Sequence, residues 1–159
     1  SVGVSMSPGS IPATGKPTFE IEEDQIGLGM GIHGEPGVGE IPMTIADELT
    51  PKMLDLIIKD FDKDDEVEAL ASGDDVLVFI NSLGATTMME CLIVLRKVKA
   101  LLTEKGINVY DVMVGPLTTC QEMSGVSISL TRMDDELKGY WEMPCQSVCF
   151  SKMEGRYGG

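Results

Sequence analysis

The sequence predicts an α/β fold, and three neighbouring segments near its middle carry that prediction. Residues 75–81 form a nearly continuous apolar run, which is typical of a strand buried on both faces of a sheet. Residues 86–104 repeat apolar side chains at helical spacing and are followed by Gly106, a usual helix stop. Residues 107–114 form a second apolar strand. Strand, helix and strand in this order predict a βαβ unit, whose parallel strands are covered by helices.

The residues before this unit are predicted to form a linker, a hairpin and a helix. Residues 1–17 are rich in Ser, Gly and Pro, which indicates a linker or loop and not the start of a domain. Two short extended runs, 18–22 and 26–33, flank the turn Glu23-Asp24-Gln25 and favour a hairpin. Residues 44–60 repeat apolar side chains at helical spacing and predict a helix.

The residues after the βαβ unit predict three shorter elements. Residues 126–132 alternate in the manner of a strand, 134–143 favour a short helix, and 147–151 favour a final strand. One domain over residues 18–152, followed by a tail over 153–159, therefore accounts for the chain after the linker.

The charge of the chain excludes two classes of partner. Its 159 residues carry a formal net charge of -14 and only 12 Lys and Arg residues. Nucleic-acid binding requires clustered basic side chains that neutralise phosphates, and anionic membrane surfaces attract basic segments. We therefore expect a protein that binds neither nucleic acid nor membranes.

The cysteines and the N-terminus predict a cytoplasmic protein. No secretory signal is visible at the N-terminus, and no apolar run approaches the roughly 20 residues of a membrane span. The four cysteines lack the paired spacing of a zinc site, so we expect reduced thiols.

A glycine motif in the first third of the chain imitates a nucleotide site. Gly29, Gly31 and Gly34 match the spacing of a dinucleotide-binding fingerprint. That fingerprint requires a helix that begins at the glycines, and Pro36 and Pro42 oppose a helix there. No cofactor is therefore predicted to bind this chain.

An acidic motif imitates a calcium loop. Asp60, Asp62 and Asp64 have the spacing of its first ligands, but Asp65 stands where the loop needs glycine and Ala71 where it needs glutamate. We interpret these residues as a solvated acidic connection, without a metal.

His33, the single histidine, is the candidate catalytic residue. It lies among Gly31 and Gly34, whose lack of side chains lets a substrate approach the imidazole closely. A neutral imidazole can add to a carbonyl carbon, and a ketone would then give a hemiaminal. Composition alone also fits a histidine packed in a tight turn. Glu35 either orients the ring or is exposed, and the sequence leaves both alternatives open.

The segment around His33 resembles the dihydroxyacetone kinase substrate-binding subunit. The similar residues are Gly29-Met-Gly-Ile-His-Gly-Glu-Pro-Gly37, preceded by Ile11-Pro12 and Gly15-Lys-Pro17 with Phe19. Downstream, Asn81-Ser-Leu-Gly84 is similar to that family's Asn-Asn-Leu-Gly turn. Gly115, Thr119-Cys-Gln-Glu-Met123, Gly125 and Ser127 resemble a further family pattern, from which Cys120 and Gln121 depart.

The resemblance implies a fold and a role for each candidate residue. It implies a mixed β-sheet with helices on one face and a protruding β-ribbon, and it makes residues 18–152 the C-terminal domain of the subunit. His33 would bind dihydroxyacetone covalently as a hemiaminal, with Gly31, Gly34 and Glu35 as further substrate-binding residues. The predicted hairpin at 18–33 would be the ribbon that carries the histidine.

The resemblance also implies partners. The protein would be a homodimer, and ATP or a partner-bound nucleotide with Mg would be supplied by another domain or subunit. An acid/base residue would lie in an N-terminal half, so this chain alone is expected to be inactive as a kinase. The alternative is a non-catalytic relative that binds dihydroxyacetone as a regulatory co-activator or sensor.

Overall fold

The computed structural model describes residues 1–30, 37–61 and 68–157, which form a six-stranded sheet, a two-stranded hairpin and three helices. The strands are β1 (Val2–Ser7), β2 (Gln25–Leu28), β3 (Gly39–Pro42), β4 (Asp75–Ser82), β5 (Asn108–Gly115), β6 (Ser124–Arg132), β7 (Cys145–Gln146) and β8 (Ser151–Lys152). The helices are α1 (Ala46–Phe61), α2 (Met88–Glu104) and α3 (Asp135–Glu142).

The large sheet is mixed, as the resemblance implies. Its strand order is β3-β2-β1-β6-β4-β5, and only β4 and β5 are parallel. All other neighbours in this sheet are antiparallel. The βαβ unit is formed by β4, α2 and β5, so the α/β prediction is confirmed.

Helices α1 and α2 pack on one face of this sheet. Along β4, Val76, Val78 and Ile80 point toward the helices and belong to the hydrophobic core, because successive side chains of a strand point to opposite faces. Thr87 begins α2 with a capping box, in which its hydroxyl accepts from the Glu90 N–H while the Glu90 carboxylate accepts from the Thr87 N–H. The core residues of the helices include Leu49, Met53, Leu54, Ile57, Cys91, Val94, Leu95, Val98 and Leu102.

Strand β1 corrects the linker prediction. Val2–Ser7 lies in the sheet between β2 and β6, and Val4 is completely buried. Residues 1–17 were predicted as a linker because Ser and Gly are poor strand formers. Gly3 and Ser5 nevertheless suit this strand, because they face the side of the sheet away from the helices while Val4 fills the core.

The predicted pairing of residues 26–33 with residues 18–22 was wrong. Residues 18–22 form no strand, and β2 instead pairs with β3 across the register Leu28↔Gly39. Glu20, Glu22 and Glu23 interrupt the apolar pattern of 18–23, so this segment has little to bury. The connection between the two paired strands is 29–38, which contains the predicted site.

The C-terminal residues return to the sheet. The predicted strand 147–151 is instead the turn of the β7–β8 hairpin, where the Ser147 N–H donates to the Phe150 carbonyl at 2.7 Å. The predicted tail is anchored through its residue 157, because the Tyr157 N–H donates to the Asp111 carboxylate at 2.7 Å. Among the described helices, none is long and apolar enough to cross a membrane. The four cysteines are free thiols.

Candidate functional site

The face of the sheet away from α1 and α2 contains an open pocket of about 650 Å³. Phe79 and Asn81 of β4 point into it, since they alternate with the core residues Val78 and Ile80. The pocket lies by the carboxyl ends of the parallel strands β4 and β5, where ligands bind in open α/β sheets. Its walls include Gly3, Met30, Leu83, Met113, Leu117, Thr118, Met123, Ser127, Ser129 and Phe150.

Asn81 holds the wall of this pocket together. Its Oδ1 accepts from the backbone N–H groups of Leu117 and Thr118, both at 2.8 Å. Its Nδ2 donates to the Thr118 carbonyl at 2.8 Å and to Ser127 Oγ at 3.1 Å. The amide thus uses its whole hydrogen-bonding capacity within the protein. Asn81 fixes the loop that follows β5 against β4 and β6, which makes it a structural residue of the site.

The connection 29–38 begins at the pocket, which Gly29 and Met30 line, and its end packs against its beginning. The Gly29 N–H donates to the Gly3 carbonyl at 2.8 Å, and the Val38 N–H donates to the Leu28 carbonyl at 2.7 Å. Gly29 and Gly37 have φ values of 78° and 72°, in the left-handed region that favours glycine. The two ends of the connection are therefore held side by side at the end of β2.

Close packing allows no side chain at Gly3 or Gly37. A Cβ atom on Gly3 would lie 2.7 Å from the Met30 carbonyl oxygen, and one on Gly37 would lie 2.7 Å from the Leu28 carbonyl oxygen. These close contacts between backbone segments fix the point, at Met30, where the chain leaves the sheet.

The predicted site residues His33, Gly31, Gly34 and Glu35 lie outside the described residues, as do the last three residues, 31–33, of the predicted ribbon. His33 follows Met30 by three residues. Met30 itself lines the pocket.

The loop after β5, residues 116–123, also contacts the turn that follows β4, next to Leu83. The Cys120 N–H donates to the Leu83 carbonyl at 2.8 Å, and the Ala85 N–H donates to the Met123 carbonyl at 3.1 Å. A Cβ atom on Gly84 would lie 1.9 Å from the Gln121 carbonyl oxygen, so the turn after β4 requires glycine. Gln121 itself has a φ of 54°, which is uncommon for a residue other than glycine.

The structure thus brings together segments whose signal in the sequence is a resemblance to a known family. Asn81, Leu83, Met123 and Ser127 are far apart in sequence and line one pocket. None of them was predicted as a site residue. The signal that points to Asn81 is a polar residue at the end of an otherwise apolar strand.

Two carboxylates near the pocket carry structural hydrogen bonds. Asp111 is almost fully buried on β5 and accepts from Trp141 Nε1 at 2.6 Å as well as from the Tyr157 N–H. A hydrogen bond from the Ser10 side chain lowers the pKa of Glu122, which joins the 8–17 loop to the loop after β5. Both groups hold chain segments in place.

The described part of the chain offers little that would hold a nucleotide or a metal. Within residues 1–30, 37–61 and 68–157, no three His, Cys, Asp or Glu side chains form a metal-binding group. The fingerprint-like glycines lie between the antiparallel neighbours β2 and β3, and not between a strand and the helix of a βαβ unit.

Comparison with known proteins identifies similar sequences over nearly the whole chain. A family model described as the Dak1 domain matches residues 1–149. The PTS-dependent dihydroxyacetone kinase 2, dihydroxyacetone-binding subunit DhaK, of Listeria innocua is 37% identical over 150 residues, covering 94% of this chain and 43% of the relative. The L-erythrulose kinase of Pectobacterium atrosepticum is 36% identical over 152 residues, covering 96% of this chain and 25% of the relative. The chain therefore spans less than half the length of these relatives.

Solved structures show the same fold. The dihydroxyacetone kinase operon co-activator Dha-DhaQ aligns with a TM-score of 0.76 and 27% identity, over 90% of this chain and 42% of that protein. The dihydroxyacetone kinase from C. freundii aligns with a TM-score of 0.66 and 19% identity, over 99% of this chain and 26% of that protein. The second likeness concerns the fold alone.

Proposed function

Because the chain belongs to the Dak1 domain family, we propose that it is the part of a dihydroxyacetone kinase that captures the ketone substrate. The observation that carries this proposal is the position of the connection 29–38. Its first residues, Gly29 and Met30, line the pocket, and its two ends are held side by side by backbone hydrogen bonds and by glycines that tolerate no side chain. The histidine that resembles the substrate-binding histidine of this family belongs to that connection.

His33 acts as a nucleophile toward the ketone. An imidazole nitrogen lone pair adds to the carbonyl carbon, so that one N–C bond forms and the carbonyl π electrons move to oxygen. The oxygen gains a proton and the imidazolium loses one from its other nitrogen, which gives a neutral hemiaminal without loss of water. Glycerol has no carbonyl carbon and is not captured, so selection against it is chemical as well as steric. Gly31 and Gly34 leave room for the substrate, and Glu35 orients the ring.

The hemiaminal holds the substrate's terminal hydroxyl for phosphoryl transfer. The phosphoryl group comes from ATP or a partner-bound nucleotide with Mg, which another domain or subunit holds. The curated relatives bind or phosphorylate dihydroxyacetone or erythrulose, according to their names, so the substrates are short neutral ketoses. We expect a homodimer in the cytoplasm that works with a nucleotide-binding kinase domain or subunit.

Native mass spectrometry of the chain with dihydroxyacetone tests the capture step. The expected mass increase equals one dihydroxyacetone with no loss of water, whereas an imine on a lysine would lose water. The adduct should be absent from His33→Ala and present in Glu35→Gln, with reduced occupancy in the latter. An adduct of equal occupancy in His33→Ala would contradict covalent capture at His33.

A regulatory role is the second candidate function. It is favoured by the alignment with the operon co-activator, at a TM-score of 0.76 and 27% identity. Both functions predict the adduct on His33. The longer protein that contains this chain distinguishes them, because a kinase forms dihydroxyacetone phosphate when nucleotide, Mg and its partner are added, and a co-activator forms the adduct alone.

A further inference from the structure

Residues 143–157, which we call the strap, form part of the pocket wall but bury little of their own surface. Phe150 of the strap lines the pocket. Of the described residues 143–157, Lys152 alone is buried, at 7% exposed, while the apolar side chains of Val148 and Met153 lie in solvent. Burial of apolar surface therefore contributes little to the attachment of the strap.

The strap is also attached by few backbone hydrogen bonds. Its strands β7 and β8 pair with each other, in a sheet separate from the six-stranded sheet. Near its end, the Gly155 N–H donates to the Glu142 carbonyl at 2.9 Å and the Tyr157 N–H donates to the Asp111 carboxylate at 2.7 Å. A segment with few buried apolar contacts and few backbone hydrogen bonds to its neighbours opens locally at a low cost in free energy.

A single buried ammonium group ties the strap to α3. Lys152 Nζ donates to the Met143 carbonyl at 3.5 Å and to the Gly155 carbonyl, at the beginning and near the end of the strap. It also lies 5.4 Å from the centre of the Trp141 ring of α3, in a cation–π contact. These contacts exist together only while the strap is closed. Opening returns the ammonium group to water, and its hydration lowers the cost of opening.

The strap and its anchor both reach the pocket. Trp141 packs edge-on against Phe79 of the pocket wall, with ring centroids 5.9 Å apart. Phe150 packs against Tyr157 within the strap, with ring centroids 6.2 Å apart. When the strap opens, the pocket therefore loses Phe150 from its wall and the Trp141 ring loses Lys152 from its face.

We infer that the strap is a gate of the pocket, which opens as one unit while the six-stranded sheet stays folded. Lys152 is its latch, and Asp111 holds its end through Tyr157. A ligand that fills the pocket against Phe150 binds the closed gate better than the open one. Its binding and the closing of the gate therefore favour each other. The opening itself does not depend on capture at His33, so the two can be tested separately.

Hydrogen exchange of the wild-type chain in increasing urea, followed by NMR, tests the opening. The amides of Gly155 and Tyr157 should exchange through an opening that urea changes little, because the opened strap exposes little new surface. The amides of Val78 and Ile128, on inner strands of the sheet, should exchange at least about a hundredfold more slowly and with a strong urea dependence. One opening free energy and one urea dependence for all four amides would overturn the gate, because the strap would then open only when the protein unfolds.

Lys152→Ala tests the latch, and Met153→Ala is its matched control at the next position, which is exposed. Lys152→Ala should raise the exchange rates of the strap amides at least about tenfold and leave Val78 and Ile128 unchanged, whereas Met153→Ala should change neither. Acrylamide quenching of Trp141, the single tryptophan, should also rise about twofold in Lys152→Ala, because the strap no longer covers the ring. An equal rise in both variants, or one that extends equally to the sheet, would overturn the latch. The wild-type exchange decides the gate even if Lys152→Ala fails to fold.

Dihydroxyacetone tests the coupling between the gate and the pocket. It should slow the exchange of Gly155 and Tyr157 in the wild type, and less so in Phe150→Ala. Native mass spectrometry of the same samples measures the adduct. An adduct without slower exchange would overturn the gate and leave the proposed function standing. Slower exchange without an adduct would support the gate and overturn capture at His33, and the absence of both effects would overturn both.

Discussion

At the scale of single residues, the site depends on polar groups that are satisfied within the protein. Asn81 bridges β4, β6 and the loop after β5 with four hydrogen bonds. A buried N–H group without an acceptor costs about 1–3 kcal/mol. Asn81 therefore shapes the pocket by making one loop conformation much more stable than the alternatives.

Asn81→Ala should lower the free energy of unfolding by about 2–4 kcal/mol, because the N–H groups of Leu117 and Thr118 lose their acceptor. Asn108→Ala is the matched control, since Asn108 is exposed and its amide makes a long hydrogen bond of 3.3 Å to Gly73. Its loss should be about 1 kcal/mol or less. Urea denaturation measures both values, and equal losses would argue against Asn81 as the residue that holds the loop.

At the scale of elements, the packing of α3 against the sheet uses an ion pair. Lys138 Nζ lies 2.6 Å from Asp75 Oδ2, at the start of β4, and 5.4 Å from the centre of the Tyr110 ring. The hydrogen bond from Lys138 lowers the pKa of Asp75 below its ordinary value of 3.8. Because this pKa is lower in the folded protein, the pair stabilises the fold above pH 3.8, and its contribution is lost as the pH falls through the folded pKa.

Lys138→Met should therefore lower the Tm slightly at pH 7, and its difference from the wild type should shrink as the pH falls below 3.8. Lys52→Met, at an exposed lysine of α1, controls for the loss of one positive charge from an acidic protein. Thermal unfolding followed by circular dichroism at several pH values gives both differences. A Lys138→Met difference that stayed constant down to pH 2 would show that packing, and not the ion pair, is responsible.

The choice of strand partners also belongs to this scale. Residues 75–81, 107–114 and 126–132 were predicted correctly as strands because an apolar run or an alternating pattern is visible in the sequence of each. Val2–Ser7 was missed because half of it is Ser and Gly, and it becomes a strand through pairing with β6, more than a hundred residues away. Local sequence contains no information about a partner at that distance.

At the scale of the whole molecule, the chain has its own core and sheet but spans less than half of its relatives. Trp141 and Tyr157 donate hydrogen bonds to Asp111 of β5, and Val2–Ser7 pairs with β6. Segments from both ends of the given sequence are therefore attached to the sheet. In the proposed function, ligand capture depends on His33, which belongs to this chain. Phosphoryl transfer needs a nucleotide and an acid/base group that we expect from other parts of the protein or from its partner.

The purified chain should therefore form the dihydroxyacetone adduct and yet show little or no kinase activity with ATP and Mg. Coupled detection of dihydroxyacetone phosphate measures this, with the longer protein and its partner as the positive control. Turnover by the chain alone, at a rate near that of the control, would mean that the nucleotide and the acid/base group are bound within these residues.

Two kinds of information thus come from the sequence and the tertiary structure. The βαβ unit, α1, α2, the acidic character and the candidate nucleophile can be predicted from the sequence, because periodicity, charge and a short specific motif are local properties. The position of Val2–Ser7 in the sheet, the pairing of β2 with β3 and the pocket shared by Asn81 and Ser127 are visible in the folded structure alone. These features depend on hydrogen bonds and close approaches between residues far apart in the chain, and such contacts are fixed only when the whole sheet assembles.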